Sequence, residues 1–212
     1  ISDYVASSSN INYIFSKDAM MDKKRYYRVY RKYDTHYNNA GAYLTHNEIL
    51  KKDNKEYIDI DDLKIDKVEC KNKDLVWMSG QNDLNYMDDF DYDIHYREDI
   101  EVKQVHEDHD NSGDVNRWID IYESSVNNEE LLLFYGDSFK ENIKQFLSKD
   151  YKKTVFMGTR IRRKNEMLEN SVEAAKVIVI ENAGRNEEVM LDAMIKEVTR
   201  ILKKLPDVKN IE

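Results

Sequence analysis

The chain has 212 residues, with 33 Lys and Arg against 42 Asp and Glu, and its net charge of -9 disfavours nucleic acids and anionic lipids as partners. A hydrophobic fraction of 41% with 15 Tyr excludes a disordered chain, and the length predicts one domain over residues 1–212. No segment approaches the ~18 consecutive apolar residues of a membrane span, and Cys70, the only cysteine, excludes both an internal disulfide and a cysteine-based metal site.

The first half of the chain mixes short polar and apolar pieces. Residues 26–32 alternate like a strand with one solvent-facing side, and residues 39–52 show a helical pattern that Asn38 or Asn39 can cap. Between about residues 53 and 129 the sequence is rich in Asp, Asn, Lys and Tyr, which predicts a polar excursion of strands and surface loops. Its short strand-like pieces are residues 57–60 and 64–68.

The second half is more regular and predicts alternating strands and helices. It contains three apolar runs without alternation, which is the pattern of strands covered on both faces. The runs are residues 131–135, 154–157 and 177–180, and the helical patterns that follow them are residues 139–148, 165–175 and 187–204. Strands of this kind pack as parallel neighbours with helices on each side. The predicted fold class is therefore α/β, a three-layer sandwich with a mainly parallel sheet.

A serine stands where the first apolar run ends and a helix begins, in the segment Tyr135-Gly136-Asp137-Ser138-Phe139. At the carboxyl end of a buried strand, its hydroxyl would lie beside the free N–H groups of the helix, which can stabilise a developing oxyanion. This geometry suits a nucleophile. The alternative is that Ser138 or Asp137 only caps the helix.

A second candidate is the segment Tyr33-Asp34-Thr35-His36-Tyr37-Asn38, which lies between the predicted strand and helix. Residues two apart in an extended chain point the same way, so the Asp34 carboxylate can hold His36 in the tautomer that makes its other ring nitrogen a base. The alternative for an isolated Asp-x-His is a surface turn. The pattern becomes specific for catalysis only if Ser138 lies across from it.

Together these segments resemble a known family. Lys32–Asn38, followed by Gly41-Ala42-Tyr43-Leu44, resembles the Asp-x-His-(Trp/Tyr)-Asn-x-x-Gly-Ala block of the SGNH hydrolase-like domain in the alginate O-acetyltransferase family, which acts in bacterial exopolysaccharide O-acetylation. Residues 134–139 resemble the nucleophile block of that family, and residues 177–185 resemble its closing strand, which ends in a Glu and an Arg. The Asp-x-His block also precedes the serine, as in that family. The resemblance spans about residues 24–204.

The resemblance implies a flavodoxin-like SGNH fold and an O-acetyltransferase in which Ser138 accepts the acetyl group, His36 is the general base and Asp34 orients it. A serine hydroxyl is too weak a nucleophile at neutral pH without such a base. The chemistry uses no cofactor and no metal, and it implies a polysaccharide or oligosaccharide acceptor and an acetyl donor that a membrane acyltransferase partner can deliver. A carbohydrate acetyl esterase or a non-catalytic polysaccharide-binding module would share the fold.

The resemblance also suggests substrate contacts and a location. An aromatic floor for a sugar ring would come from three tyrosines, Tyr33, Tyr37 and Tyr135. Arg185 is either a substrate contact or an ion-pair partner of Glu181. The family implies an extracytoplasmic protein, secreted or held at the cell surface, whose signal or anchor lies upstream of Ile1.

A rival pattern is Asp108-His109-Asp110-Asn111-Ser112-Gly113-Asp114, which matches the opening of an EF-hand calcium loop. Its twelfth position is Ile119, where a bidentate Glu is needed, so a polar surface loop is the favoured interpretation. His106 and His109 also lack the spacing of a zinc-binding helix.

Overall fold

The computed structural model describes residues 14–70, 74–80, 88–160, 166–181, 195–196 and 199–200. The chain forms two units, an N-terminal unit over Asn12–Glu98 and a C-terminal unit that includes Asp99–Glu212. That the whole chain acts as one domain stays a prediction. Within the described ranges no helix has the length and apolar character needed to cross a membrane.

The N-terminal unit contains one long helix and a two-stranded sheet. Its elements are α1 (Lys17–Lys23), α2 (Asn39–Lys52), a 3₁₀ turn (Ile60–Asp62), β1 (Ile65–Glu69), α3 (Asp74–Met78) and β2 (Phe90–Ile94). β1 and β2 pair antiparallel, with Ile65 opposite Ile94. The predicted helix at residues 39–52 is confirmed as α2, and the predicted strand at residues 64–68 is confirmed as β1.

The start of α2 explains the spacing of the Asn-x-x-Gly motif. The Asn38 side chain accepts a 3.1 Å hydrogen bond from the Gly41 N–H, which caps the helix. A Cβ on Gly41 would lie 2.4 Å from the Val29 carbonyl oxygen and 2.7 Å from the Tyr37 Cβ. Only glycine therefore lets α2 pack this closely against the segment that precedes it.

Two predicted strands of the N-terminal unit are wrong. Residues 26–32 contain only an isolated bridge, between Tyr30 and Tyr37. Residues 57–60 lead into the 3₁₀ turn and form no strand. The alternation of polar and apolar residues in these segments reflects partial burial of loops, which produces the same pattern as a half-buried strand.

The C-terminal unit contains a five-stranded mixed sheet. Its elements are β3 (Val102–Asp108), a 3₁₀ turn (Val115–Arg117), β4 (Ile119–Ser124), β5 (Leu131–Gly136), α4 (Lys140–Leu147), β6 (Lys153–Gly158), α5 (Glu166–Ala174) and β7 (Val177–Ile180). The strand order is β3-β4-β6-β5-β7. β5 pairs parallel with both β6 and β7, whereas the β3–β4 and β4–β6 pairs are antiparallel.

The predicted three-layer sandwich with a mainly parallel, SGNH-like sheet is wrong. The structure has a small antiparallel sheet and a mixed five-stranded sheet with few helices. The difference comes from β3 and β4, which belong to the polar excursion and add antiparallel to one side of the sheet. The prediction that the three apolar runs form parallel neighbours is confirmed by β5, β6 and β7.

The helices of the C-terminal unit follow the predicted order. The patterns at residues 139–148 and 165–175 are confirmed as α4 and α5. The predicted helix at residues 187–204 falls almost wholly outside the described residues.

Strand β4 has one apolar and one polar face, since successive side chains of a strand point to opposite sides. On one face, Ile119 and Ile121 join a core cluster that includes Leu168 of α5. On the other face, Asp120 is only 1% exposed although its side chain is polar. The polar side of β4 therefore holds a buried carboxylate where an apolar residue would be expected.

Candidate functional site

The predicted Asp34–His36 pair is present in the N-terminal unit. Asp34 Oδ1 lies 2.7 Å from His36 Nδ1, and the same oxygen accepts a 2.8 Å hydrogen bond from the His36 backbone N–H. The Asp34 side chain is 6% exposed and the His36 side chain is 22% exposed. With Nδ1–H held by the carboxylate, the lone pair of the neutral ring lies on Nε2, which is the arrangement of a general base.

Asp34 is charged despite its burial. Burial opposes ionisation of this carboxyl group, but the hydrogen bonds from the side chain and backbone of His36, together with the charge of Arg31, outweigh it and lower the pKa of Asp34 below its ordinary value. A carboxylate that stays ionised at neutral pH can stabilise the imidazolium that forms when His36 accepts a proton.

Two buried aspartates near the start of β2 hold the loop that carries this pair. Asp89 binds Arg28 Nη2 at 2.5 Å. Asp91 accepts hydrogen bonds from Arg31 Nε at 3.0 Å and from the Asn39 N–H at 2.7 Å. These ion pairs therefore hold the loop, and the strand predicted at residues 26–32 does not. No pattern in the sequence links these acids to the two arginines, which lie about 60 positions earlier.

A third carboxylate, Asp74, lies beside the pair and was not predicted. Its Oδ1 accepts a 2.8 Å hydrogen bond from the Thr35 N–H, and its Oδ2 lies 2.5 Å from Thr35 Oγ1 and 3.7 Å from His36 Nδ1. One ligand atom from each of Asp34, His36 and Asp74 lies within 4.8 Å of the others, so these three residues could together hold a metal ion. That the site works without a metal stays a prediction.

Ser138 lies in the C-terminal unit, in the turn between β5 and α4 where it was expected. Asp137 Oδ1 accepts a 2.9 Å hydrogen bond from the Phe139 N–H, and the Asp137 carbonyl oxygen accepts one from the Lys140 N–H at 3.2 Å. The Asp137 carboxylate thus closes an Asx turn that precedes α4. Ser138 itself is half-buried.

Gly136 and Glu181 shape the same turn. A Cβ on Gly136 would lie 2.6 Å from Phe134 Cε1 and 2.8 Å from Glu181 Oε2, so a larger residue would displace both. Glu181 Oε2 accepts a 3.2 Å hydrogen bond from the Asp137 N–H. Burial of the carboxyl group and the negative charge of Asp137 raise the pKa of Glu181 well above its ordinary value.

We expect Glu181→Gln to remove a pH dependence of stability. An acid whose pKa is raised on folding contributes stability that is full below its unfolded pKa, near 4.5, and that is lost as the pH rises through the folded value. Glutamine keeps an acceptor for the Asp137 N–H but cannot ionise. Urea unfolding between about pH 4.5 and pH 8 should therefore show a smaller decline for the variant than for the wild type. Glu173→Gln, at an exposed position of α5, is the matched control, and equal declines in all three proteins would contradict the prediction.

Of the predicted substrate contacts, Tyr33 and Tyr37 lie in the N-terminal unit and Tyr135 lies in the C-terminal unit. Tyr37 is 5% exposed and Tyr135 is 8% exposed, so both rings are largely buried. Tyr33 is half-buried, and Lys32 Nζ lies 4.8 Å from the centre of its ring. Arg185 lies outside the described residues. The aromatic floor and the role of Arg185 stay predictions.

In the EF-hand-like loop, aspartate carboxylates accept hydrogen bonds from backbone N–H groups two residues further along the chain. Asp110 Oδ1 accepts a hydrogen bond from the Ser112 N–H at 3.2 Å, and Asp114 Oδ1 accepts one from the Asn116 N–H at 3.0 Å. His109 contacts Asp120 through Nε2 at 2.6 Å. These contacts fit a polar surface loop, and that interpretation stays a prediction.

A cavity of about 490 Å³ in the C-terminal unit was also not predicted. Asp120 lies in its wall and accepts hydrogen bonds from Gln104 Nε2 at 2.9 Å, from His109 and from Lys144 Nζ. Burial and the nearby carboxylates raise the pKa of Tyr122, which also lines the cavity, to about 12. The ring hydroxyl therefore stays protonated at physiological pH.

Comparisons with known proteins identify the fold. No family model matches the sequence, and no curated protein matches it. A DHHW family protein from Eubacterium siraeum matches with a TM-score of 0.62 and 13% identity, over 82% of this chain and 67% of that one. Bacillus cereus PatB1 matches with a TM-score of 0.55 and 18% identity, over 81% and 70% of the two chains. The structure of Bacillus cereus PatB1 with a sulfonyl adduct matches with a TM-score of 0.53 and 18% identity, over 81% of this chain and 69% of that one. At these identities the likeness shows the fold alone.

Proposed function

We propose that this protein is a bacterial O-acetyltransferase that acts on hydroxyl groups of a cell-surface or secreted polysaccharide. The observation that carries the proposal is the 2.7 Å contact between Asp34 Oδ1 and His36 Nδ1, which prepares an imidazole to act as a base. The likeness to PatB1 fits an O-acetyltransferase-like relationship. Ser138, in the turn after β5, is the proposed nucleophile that such a base would activate.

The proposed mechanism uses Ser138 as nucleophile and His36 as general base. Ser138 Oγ attacks the acetyl carbonyl of the donor while His36 Nε2 accepts the hydroxyl proton and later gives it to the leaving group. A sugar hydroxyl then attacks the acetyl-serine ester, His36 takes the hydroxyl proton and returns it to Ser138, and the O-acetylated sugar leaves. Asp34 orients the imidazole and stabilises its charged form. The proposal requires Ser138 Oγ and His36 Nε2 within hydrogen-bond distance, or one water of it, when substrate is bound.

The proposal extends to the partners and the location of the protein. The acceptor is a polysaccharide or oligosaccharide, the acetyl donor is delivered by a membrane acyltransferase partner, and the reaction takes place outside the cytoplasm. An acetyl esterase would use the same three residues, because the two activities differ only in whether water or a sugar hydroxyl attacks the acetyl-enzyme. A non-catalytic polysaccharide-binding module would need none of them.

Covalent labelling of Ser138 tests the proposal. PatB1 has been captured with a sulfonyl adduct, so a sulfonyl fluoride is a suitable probe. We expect mass spectrometry to find one sulfonyl group on the peptide that contains Ser138, and no such label in Ser138→Ala or His36→Ala. Ser125→Ala, at an exposed serine of the same unit, should be labelled like the wild type. A folded wild-type protein that stays unlabelled at Ser138 would favour the binding module.

The acceptor can be identified from the same intermediate. The protein is acetylated with p-nitrophenyl acetate, and the acetyl-enzyme is then offered to water alone or to water with an oligosaccharide. Faster loss of the acetyl group with formation of an acetylated sugar indicates a transferase. Loss to water at an unchanged rate indicates an esterase.

A further inference from the structure

We infer that Asp74 is a positioning residue for His36, an assignment that rests on the proposed function. Asp74 is the first residue of α3 and lies 38 positions after His36 in the sequence. Its carboxylate contacts the loop that carries the proposed catalytic pair in two different ways, through hydrogen bonds and through charge. Each contact has a separate consequence for the base.

The hydrogen bonds fix the backbone between the two catalytic residues. Thr35 stands between Asp34 and His36, and the Asp74 carboxylate accepts from both the Thr35 N–H at 2.8 Å and Thr35 Oγ1 at 2.5 Å. The Leu75 N–H also donates to the Tyr33 carbonyl oxygen at 3.1 Å. The start of α3 is thus attached to both sides of Asp34, which restricts the rotation of the segment that aims the imidazole.

The charge of Asp74 acts on the imidazole directly. His36 Nδ1 lies 2.7 Å from Asp34 Oδ1 and 3.7 Å from Asp74 Oδ2, so one ring edge faces two carboxylates. The Asp74 side chain is 26% exposed, which leaves it only partly screened by water. In both half-reactions His36 passes through a cationic form, which a second negative charge stabilises relative to the neutral ring.

The same geometry explains why Asp74 is not only a helix cap. An acidic cap directs its oxygens to the N–H groups of its own helix. The hydrogen bonds given above direct both oxygens of Asp74 to Thr35 instead. Asp34 and Asp74 both lie beside His36 Nδ1, and the charge of Arg31 acts on Asp34.

Two substitutions separate the hydrogen bonds of Asp74 from its charge. Asp74→Asn keeps the shape and removes the charge, and we expect kcat on p-nitrophenyl acetate to fall about tenfold with KM little changed. Thr35→Val keeps both carboxylates and removes one hydrogen bond, so kcat should fall about threefold. A third variant, Asp74→Glu, restores the negative charge and should recover part of the kcat lost in Asp74→Asn.

The controls distinguish failure of this inference from failure of the proposed function. Asp93→Asn removes an exposed acid of β2 and should leave kcat and KM unchanged. Wild-type kcat in Asp74→Asn would overturn the inference, whereas full activity of Ser138→Ala would overturn the proposed function. If Asp74→Asn does not fold, an unchanged kcat in folded Thr35→Val is the overturning result. Activity that EDTA abolishes and Zn²⁺ restores would make Asp74 a metal ligand and would also overturn the inference.

Discussion

Ser138→Ala and His36→Ala should each lower the turnover of p-nitrophenyl acetate by a factor on the order of 10⁴, because a Ser–His–Asp unit fails when either its nucleophile or its base is lost. Asp34→Ala should cost less than either change, since Asp34 orients the imidazole and transfers no proton itself. Its contact with His36, at 2.7 Å, nevertheless predicts a clear effect. Steady-state kinetics with equal amounts of folded protein measure all three.

The three substitutions also test whether these residues act as one unit. The double variant Ser138→Ala/His36→Ala should be no slower than the slower single variant, because the base has no function without the nucleophile. Ser125→Ala is the matched control and should retain wild-type turnover, since Ser125 is an exposed serine of the C-terminal unit. Additive losses in the double variant would indicate two independent sites, and the proposed mechanism would then be wrong.

The Asp34–His36 contact and the start of α2 could be predicted from the sequence because their causes are local. Asn38 caps α2 three residues before Gly41, and Asp34 contacts a residue two positions away. The strands β5, β6 and β7 were predictable for a similar reason, since runs of apolar residues mark strands buried on both faces. In each case the deciding interaction lies within a few residues or depends on hydrophobicity alone.

The strands that make the sheet mixed could not be predicted in this way. β3 is an edge strand whose side chains are half-buried or exposed, so its sequence Val-Lys-Gln-Val-His-Glu-Asp has no apolar face. β4 places Asp120 where an apolar residue would mark a buried strand. β3 pairs with the strand that follows it, whereas β4 also pairs with β6, which lies beyond β5 and α4 in the sequence, and the fold class depends on this long-range pair.

The position of Asp74 was unpredictable for the same reason. Nothing in the segment Asp74–Met78 resembles a catalytic motif, and its contact with Thr35 spans 39 positions. Charge composition gives no help here, because 35% of the chain is charged. Only the three-dimensional arrangement shows which of the many acids lie beside the imidazole.

Lys144→Met should destabilise the C-terminal unit by about 3–5 kcal/mol, because it leaves a buried charge without its partner. Asp120 is 1% exposed, and Lys144 Nζ binds it while also contacting both Glu141 carboxylate oxygens at 2.8 Å. After the substitution Glu141 keeps Lys140 Nζ at 3.0 Å, but Asp120 loses the ammonium group. Of the three residues that contact the Asp120 carboxylate through Gln104 Nε2, His109 Nε2 and Lys144 Nζ, Gln104 and His109 then remain.

A surface ion pair in the same sheet provides the matched control for Lys144→Met. Lys153 Nζ lies 3.8 Å from Glu123 Oε1, with both side chains more than two-fifths exposed, so Lys153→Met should cost only about 0–1 kcal/mol. Urea unfolding followed by the fluorescence of Trp118, in a Trp77→Phe background, reports on the C-terminal unit. The double variant Asp120→Asn/Lys144→Met should recover most of the lost stability, because it removes the unpaired charge together with its partner. Equal losses in Lys144→Met and Lys153→Met would instead mean that Asp120 is already neutral or reaches water, and that burial of this carboxylate does not need the lysine.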